Sequence, residues 1–562
     1  MGVMAMGTML ADLCRVLGLW RRRWPVLLLA VGVTVVSALA GLALMTLAGR
    51  AVSHEVAALS GAAAGGAGLL LLPWLRPLLI GRPGLRWGER MATHAAAFRA
   101  LADTRVWFFS RLAERLPGGI GHGRAGDLLG RIVADVEALD GLYLRALVPL
   151  AAGAAVVVAA ALILGAISPL LAVLVTLPLA CALALPPLLA PIAARAAKGA
   201  AAAEGRLRDA VVDPLAGLED TLANNAEATA ILRVEAAAAR LTAAQRGLAR
   251  RNALAGAAGA LLGQGALLGA LGFGIAGGEG ALWGAVLGAF LALAAAEPFA
   301  GLPRAGIAIA TAGASARRLF LAADRPVPVP DPVATVAAPA GHALRIEGVR
   351  FAWAADRGEV FAGLDMEVPE GAHVALLGPS GAGKSSLIAL LTKLAAPSAG
   401  RILIGGVDIA GLPAAAVRGK FAVLSQDARL FDDSIAANLR LAAPDADDAA
   451  LFGALDRAGI GDLIRALPEG LQTRCGEGGA RFSGGQVRRI ALARALVCAA
   501  PILLLDEPAA GLDAAAELAF LATLETAAAG RTVLLLQHRL IGPFRPQKLF
   551  RLVAGRALPG LG

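Results

Sequence analysis

Residues 373–385 read His373-Val374-Ala375-Leu376-Leu377-Gly378-Pro379-Ser380-Gly381-Ala382-Gly383-Lys384-Ser385, a short apolar strand running into GxxxxGK[ST], with an apolar helical stretch behind it. Strand, glycine-rich loop and helix in that order are the context a phosphate-binding loop requires. Gly378, Gly381 and Gly383 let backbone N–H groups approach phosphate oxygens, and the helix N-terminus that follows favours anions. Lys384 supplies positive charge to the β and γ oxygens, Ser385 offers a hydroxyl to magnesium, and Ser380 and Ser386 complete the nucleotide-binding stretch. Alone, the motif says that a nucleoside triphosphate binds.

Outward from the loop, short apolar strands at 373–377, 502–505 and 532–536 alternate with helical stretches, an α/β nucleotide-binding pattern. One strand, Ile502-Leu503-Leu504-Leu505-Asp506-Glu507, ends in two acids. Asp506 suits the magnesium shell, and Glu507, one residue further, suits a general base that polarises the attacking water. The alternative is that these acids cap a helix after the strand.

The other half of the chain is a different material. Of 562 residues, 57% are hydrophobic and 17% charged, beyond what a soluble domain carries. Apolar runs at 26–48, 58–80, 144–164, 170–192, 253–275 and 281–300 each approach the roughly 20 residues that cross about 30 Å of hydrocarbon. Segments 82–145 and 195–251 are rich in Arg, whereas the links 49–59, 166–169 and 276–280 carry only Arg50, Glu55 and Glu279. That alternation puts both termini on the cytoplasmic side. The long inside segments favour helix, so membrane helices should continue well into the cytoplasm. The net charge of +10, which could mean a nucleic-acid partner, is read instead as this loop excess, and no nucleic-acid partner is expected. Arg21, Arg22 and Arg23 followed by Ser37-Ala38-Leu39-Ala40 imitate a cleavable secretory signal, but the run continues to Ala48 and is read as an uncleaved first helix. Cys14, Cys181, Cys475 and Cys498 lie far apart without a CxxC pair, which suits neither a disulfide framework nor zinc.

Between the nucleotide motifs stands Phe482-Ser483-Gly484-Gly485-Gln486, opening a helical run. With it the chain resembles the ATP-binding cassette superfamily, in which this signature meets the nucleotide held by the opposite subunit. The resemblance implies an exporter half-transporter: a six-span helical membrane domain plus an α/β P-loop cassette, using ATP and Mg²⁺. It implies that Trp353 stacks on adenine, that Gln426 senses magnesium together with Ser385 and Asp506, that Asp513 is the D-loop acid, and that His538 contacts the γ-phosphate. Gly476-Glu477 resembles the exporter-type segment before the signature. Departures are mild: Phe482 replaces Leu, Ala510-Gly511-Leu512-Asp513 replaces the commoner SALD, and Gln537 precedes the histidine. Domains are expected at 1–324 (membrane), 325–341 (linker with Pro326, Pro328, Pro330, Pro332 and Pro339) and 342–562 (cassette).

Gly126-Asp127-Leu128-Leu129 resembles the exporter stretch near the first coupling helix. Glu89-Arg90, Thr93-His94, Phe98-Arg99, the run 134–140 and Leu142-Tyr143-Leu144-Arg145 resemble the C subunit of heterodimeric thiol-reductant exporters required for cytochrome bd assembly. That resemblance implies a paralogous D-type partner, an inner-membrane location, and cysteine, glutathione or haem-related cargo. Arg86, Arg90 and His94 fall at i, i+4 and i+8 on one helix face. Lining a cavity, the arginines suit cargo carboxylates and His94 suits haem b as an axial ligand. The alternative is that Pro77 and Pro83 end the span early and leave a solvated basic face. A lipid or multidrug exporter of the same fold, and an ATP-gated assembly factor that moves no cargo, are the rival functions.

Overall fold

Apolar runs in hydrocarbon form helices because their N–H and C=O groups must be satisfied within the segment. The computed structural model describes residues 2–59, 70–115, 131–334, 336–354, 358–510, 512, 514–540 and 544–560. It separates into two units, one running through Arg325 and the other from Pro326 onward.

The first unit is helical: α1 (Gly2–Leu19), α2 (Trp24–Leu59), α3 (Leu72–Arg115), α4 (Val148–Gly165), α5 (Pro169–Ala216), α6 (Glu227–Gly277), α7 (Glu279–Phe299) and α8 (Leu302–Ala323). Among the described residues, five helical stretches are long and apolar enough to cross a membrane: Gly7–Val56, Val133–Gly165, Pro169–Ala216, Glu227–Gly277 and Ala281–Ala323. The remaining expected span, 58–80, is only partly visible, since 60–69 lie outside the described residues.

Two expectations need correction. The link 49–59 is helix, not loop, because Ala51, Ala57, Ala58 and Leu59 favour helix and nothing after Gly49 breaks it. Pro77 and Pro83 do not end a helix: α3 runs through both, each proline removing a single backbone donor while the helix packs on α2. The exposed basic face of the alternative reading survives in part, with the Arg86 side chain 47% exposed.

Helices α5 and α6 hold 48 and 51 residues, roughly 72 and 76 Å at 1.5 Å per residue, so both run far beyond the bilayer. They meet through Leu171, Val175, Ala266 and Ala270, all fully buried, the alanines letting the backbones approach. Two π-helical turns, Arg131–Asp135 and Leu142–Leu147, flank the helix Val136–Gly141. Here buried Asp135 accepts from Ser315 Oγ at 3.0 Å and from Arg318 Nε at 3.0 Å, tying this segment to α8. The Gly126–Leu129 stretch lies outside the described residues.

In the second unit the proline-rich stretch forms neither helix nor strand, as five prolines dictate. It is held down rather than free: Ala414 N donates to Asp331 Oδ1 (2.7 Å) and Val336 N to Gly411 O (3.2 Å).

Among the described residues ten strands follow: β1 (Leu344–Phe351), β2 (Phe361–Val368), β3 (His373–Leu377), β4 (Ala399–Ile404), β5 (Val407–Asp408), β6 (Phe421–Leu424), β7 (Ile502–Asp506), β8 (Thr532–Gln537), β9 (Lys548–Val553) and β10 (Arg556–Pro559). The first sheet is antiparallel, ordered β2-β1-β4-β5. The second is ordered β10-β9-β3-β8-β7-β6, parallel except for β10 at its edge. Strands β7 and β8 are buried along their whole length, which explains why they read as unbroken apolar runs. Helices α9 (Lys384–Leu391), α10 (Gly484–Val497) and α11 (Ala514–Ala527) accompany them.

Candidate functional site

Parallel α/β sheets bind ligands outside the carboxyl ends of their strands. Four neighbours, β3, β8, β7 and β6, end in register: Leu377 pairs with Gln537, Asp506 with Leu536, and Leu424 with Leu505. The P-loop, His538, Asp506-Glu507 and Gln426 therefore leave the sheet along one edge.

The loop itself turns on Gly381 (φ +80°) and Gly383 (φ +109°), backbone that other residues rarely adopt. A Cβ on Gly383 would lie 2.5 Å from Val360 Cγ1. Gly383→Ala is expected to strain the loop by about 1–3 kcal/mol and weaken ATP binding at least several-fold. Titration with a fluorescent ATP analogue checks it.

Lys384, only 5% exposed, begins α9 and donates from Nζ to Gly378 O (2.8 Å) and Pro379 O (3.0 Å). Its third partner is Glu507 Oε1 at 3.0 Å. Gln426 Nε2 donates to Glu507 Oε2 at 3.2 Å, so one carboxylate bridges the lysine and the glutamine. Glu507 holds φ +43°, a left-handed conformation costly for a side chain, which sets it off the strand that ends at Asp506. Arg488 Nη1, from α10, reaches Glu507 O at 3.4 Å. Sequence reasoning passed over Arg488; its place five residues beyond Ser483 was the available signal.

Ser385 Oγ donates to Asp506 Oδ2 at 2.6 Å, while Asp506 Oδ1 is buried without a hydrogen-bond partner. A buried carboxylate oxygen in want of a positive partner fits a hard cation. Ser385, Asp506 and Gln426 would hold Mg²⁺, which when bound neutralises β and γ phosphate oxygens. Burial, the largest influence, pushes Asp506 above its ordinary value of 3.8, outweighing Ser385 and Lys384, which favour ionisation. Burial thus favours the protonated acid more in the folded chain than in the unfolded one. Its stabilisation is full below the ordinary pKa and is lost as pH rises through the raised one. Without Mg²⁺, wild type is expected to gain melting temperature relative to Asp506→Asn as pH falls from neutral toward the ordinary carboxylate range. Scanning fluorimetry reads this directly.

Trp353 follows β1, edge-on to Phe351 at 5.0 Å, with its indole N–H donating to Ser386 Oγ at 3.0 Å. Trp353 is 36% exposed, which leaves surface for a base to stack on. Ser380 lies in the exposed turn of the loop. Ser483 caps α10 in a capping box: its Oγ accepts from Gln486 N, and Gln486 Oε1 accepts from Ser483 N at 2.9 Å. Gly484 and Gly485 form the first turn, presenting bare N–H groups at a helix N-terminus. Ser483 and His538 are both outside the bonded cluster around Glu507, His538 being exposed just past β8. Glu477 is exposed in a short turn after Gly476. Asp513 lies outside the described residues.

The ABC transporter family profile matches residues 361–510. The Glutathione/L-cysteine transport system ATP-binding/permease protein CydC of Escherichia coli K12 is 33% identical over 557 residues, 96% of this chain and 95% of that protein. The chain belongs to the ATP-binding cassette exporters. A solved bacterial Atm1-family ABC exporter with ATP bound superposes with a TM-score of 0.83 at 26% identity, covering 96% of this chain and 94% of the other. ATP-dependent lipid A-core flippases also match, that of Chromobacterium violaceum at 39% over 227 residues, 40% of this chain and 39% of its own length. As a member of the family this chain is a multi-pass membrane protein whose cassette hydrolyses ATP to drive transport.

In the helical unit, Arg86, Arg90 and His94 do share one cavity of about 290 Å³, bounded by α2, α3, α4 and α7. Thr34, Ser37 and Thr93 add hydroxyls, and Glu89 and Glu297 add negative charge. His94 is exposed, 5.9 Å from the Phe98 ring, and is the one imidazole among the lining residues. The lining thus brings together one imidazole, two arginines and two carboxylates. Glu297 was not anticipated; a lone acid after Leu291-Ala292-Leu293-Ala294-Ala295-Ala296 was the signal that could have found it. A second, apolar cavity of about 550 Å³ lies among α5, α6, α7 and α8.

Proposed function

We propose that this chain is the C-type half of a heterodimeric exporter that moves small thiols, cysteine and glutathione, outward across the bacterial inner membrane. Both termini are cytoplasmic, the partner is a paralogous D-type half-transporter, and the exported thiols serve cytochrome bd assembly. The observation that carries this reading is the mixed-charge cavity, where Arg86, Arg90, Glu297 and hydroxyls suit a small polar molecule better than a lipid tail. Whole-length similarity to the glutathione/cysteine system supports it, whereas the flippase match extends over less than half of the chain.

In the cassette, Lys384 and the P-loop N–H groups hold the phosphates, and Trp353 stacks on adenine. Gln426 and His538 attend the γ-phosphate, and Glu507 takes the proton of the attacking water. Ser483, Gly484, Gly485 and Gln486 serve the nucleotide of the partner cassette, and Asp513 lies at the junction between the two.

Deleting the gene tests the reading. External cysteine and glutathione should fall together with the cytochrome bd absorbance band, and added thiol should restore the band. Unchanged external thiols would overturn it.

A second reading, with haem as the cargo or a bound group, is favoured by the exposed imidazole of His94 in the cavity lining. Haem added to the purified complex should then give a Soret band that His94→Ala shifts; an identical band removes His94 as ligand. The apolar cavity favours a lipid cargo in the same way, tested by lipid uptake into vesicles.

A further inference from the structure

Glu297 belongs to α7 and is surrounded in sequence by apolar residues, yet its two carboxylate oxygens are both engaged by α3. Oε1 meets Arg86 Nη1 at 2.7 Å and Oε2 meets the Arg82 guanidinium. The Arg82 group reaches it across Gly41 of α2, where a Cβ would lie 2.7 Å from Arg82 Nη2. No ion pair to Arg90 occurs among the described residues, so the cavity keeps one arginine unengaged by a carboxylate. The side chains of Arg82, Arg86 and Glu297 are 24%, 47% and 39% exposed, so none of the three is sealed within the packing of this chain.

The chemistry of exchange at such a pair is selective. A ligand carboxylate that takes Arg82 and Arg86 displaces Glu297, which then has no cation. A ligand carrying only carboxylates therefore strands one charge, and one carrying only an amine strands two arginines. A zwitterion loses nothing: its carboxylate replaces Glu297 on the arginines and its ammonium replaces them on Glu297. Pro298 adds an acceptor nearby, because it has no N–H and leaves the carbonyl of Ala294 without its helical donor. Ala294 and Pro298 both line the cavity.

We propose that Glu297 is a built-in counter-carboxylate that holds Arg82 and Arg86 until cargo exchanges with it, making the cavity selective for molecules that carry both a carboxylate and an ammonium group. Arg90 then receives a second carboxylate when the cargo has one. This rests on the export of small thiols argued above and adds the residue that decides among them.

The test compares glutathione with glutaryl-cysteinyl-glycine, the same peptide without its amino group, by calorimetry on the complete transporter in lipid nanodiscs. Wild type should prefer glutathione by about tenfold or more, the worth of one charge-assisted pair. Glu297→Gln should bring the preference to within about twofold and bind the deaminated peptide more tightly than wild type does. Gly41→Ala, whose methyl displaces the Arg82 guanidinium, should weaken both peptides several-fold while keeping the preference. A preference that survives Glu297→Gln, or equal binding of both peptides by wild type, overturns the role of Glu297 and leaves thiol export standing. Binding of neither peptide by a wild-type transporter that hydrolyses ATP overturns both.

Discussion

Glu507→Gln is expected to lower ATP hydrolysis by about 10²–10⁴-fold, the usual worth of a positioned general base, while leaving ATP binding close to wild type. The substitution keeps the shape and one acceptor oxygen for Lys384 Nζ, gives up the second acceptor that Gln426 Nε2 meets, and removes the charge and the capacity to accept a proton. Phosphate release and nucleotide binding measured on the same preparation separate the two effects. A hydrolysis rate within tenfold of wild type would assign the base to another group.

The second large effect concerns Lys384. Its ammonium is buried and satisfied by two loop carbonyls and Glu507, and in the proposed nucleotide site a phosphate oxygen would take the place of the carboxylate. Lys384→Ala removes a charge-assisted contact worth about 1.5–3 kcal/mol, which is roughly a ten- to hundredfold loss of ATP affinity. It also leaves Glu507 without its cation, so hydrolysis should be lost even at saturating ATP. Titration with labelled ATP, followed by a rate measured at saturation, distinguishes weak binding from failed chemistry. Lys384→Arg should restore charge but not rate, because a planar fork does not fit between Gly378 O and Pro379 O.

These two residues were legible because their context is local. The strand ending at Leu377, the loop glycines and the helix beginning at Lys384 adjoin in sequence, and each part dictates its neighbour. Asp506 and Glu507 were legible for a related reason: charge at the end of a fully buried strand needs a purpose. The membrane helices were found by apolar length, and their ends were lost for the same reason. Helix α2 runs on to Leu59 through Arg50 and Glu55, charges that read as a loop but sit comfortably on helix beyond the hydrocarbon. Helix α8 carries Arg304, Arg317 and Arg318 and has no uninterrupted apolar run, yet it buries Ala305, Ala312 and Leu319 against its neighbours.

The cavity was half visible. Arg86, Arg90 and His94 follow helical spacing and could be grouped from sequence alone. Glu297 stands 215 residues from Arg82, and no local pattern announces a pair made by the packing of α3 and α7. The Arg488 contact with Glu507 is likewise a product of tertiary structure, joining a helix to a strand end across 19 residues.

The measurement that bears most directly on the whole account is ATP-driven uptake of labelled glutathione and cysteine into inverted membrane vesicles containing the complete transporter. The account predicts accumulation that requires ATP and disappears in Glu507→Gln. Robust ATP hydrolysis with no accumulation of either thiol, or accumulation that persists in Glu507→Gln, would contradict it.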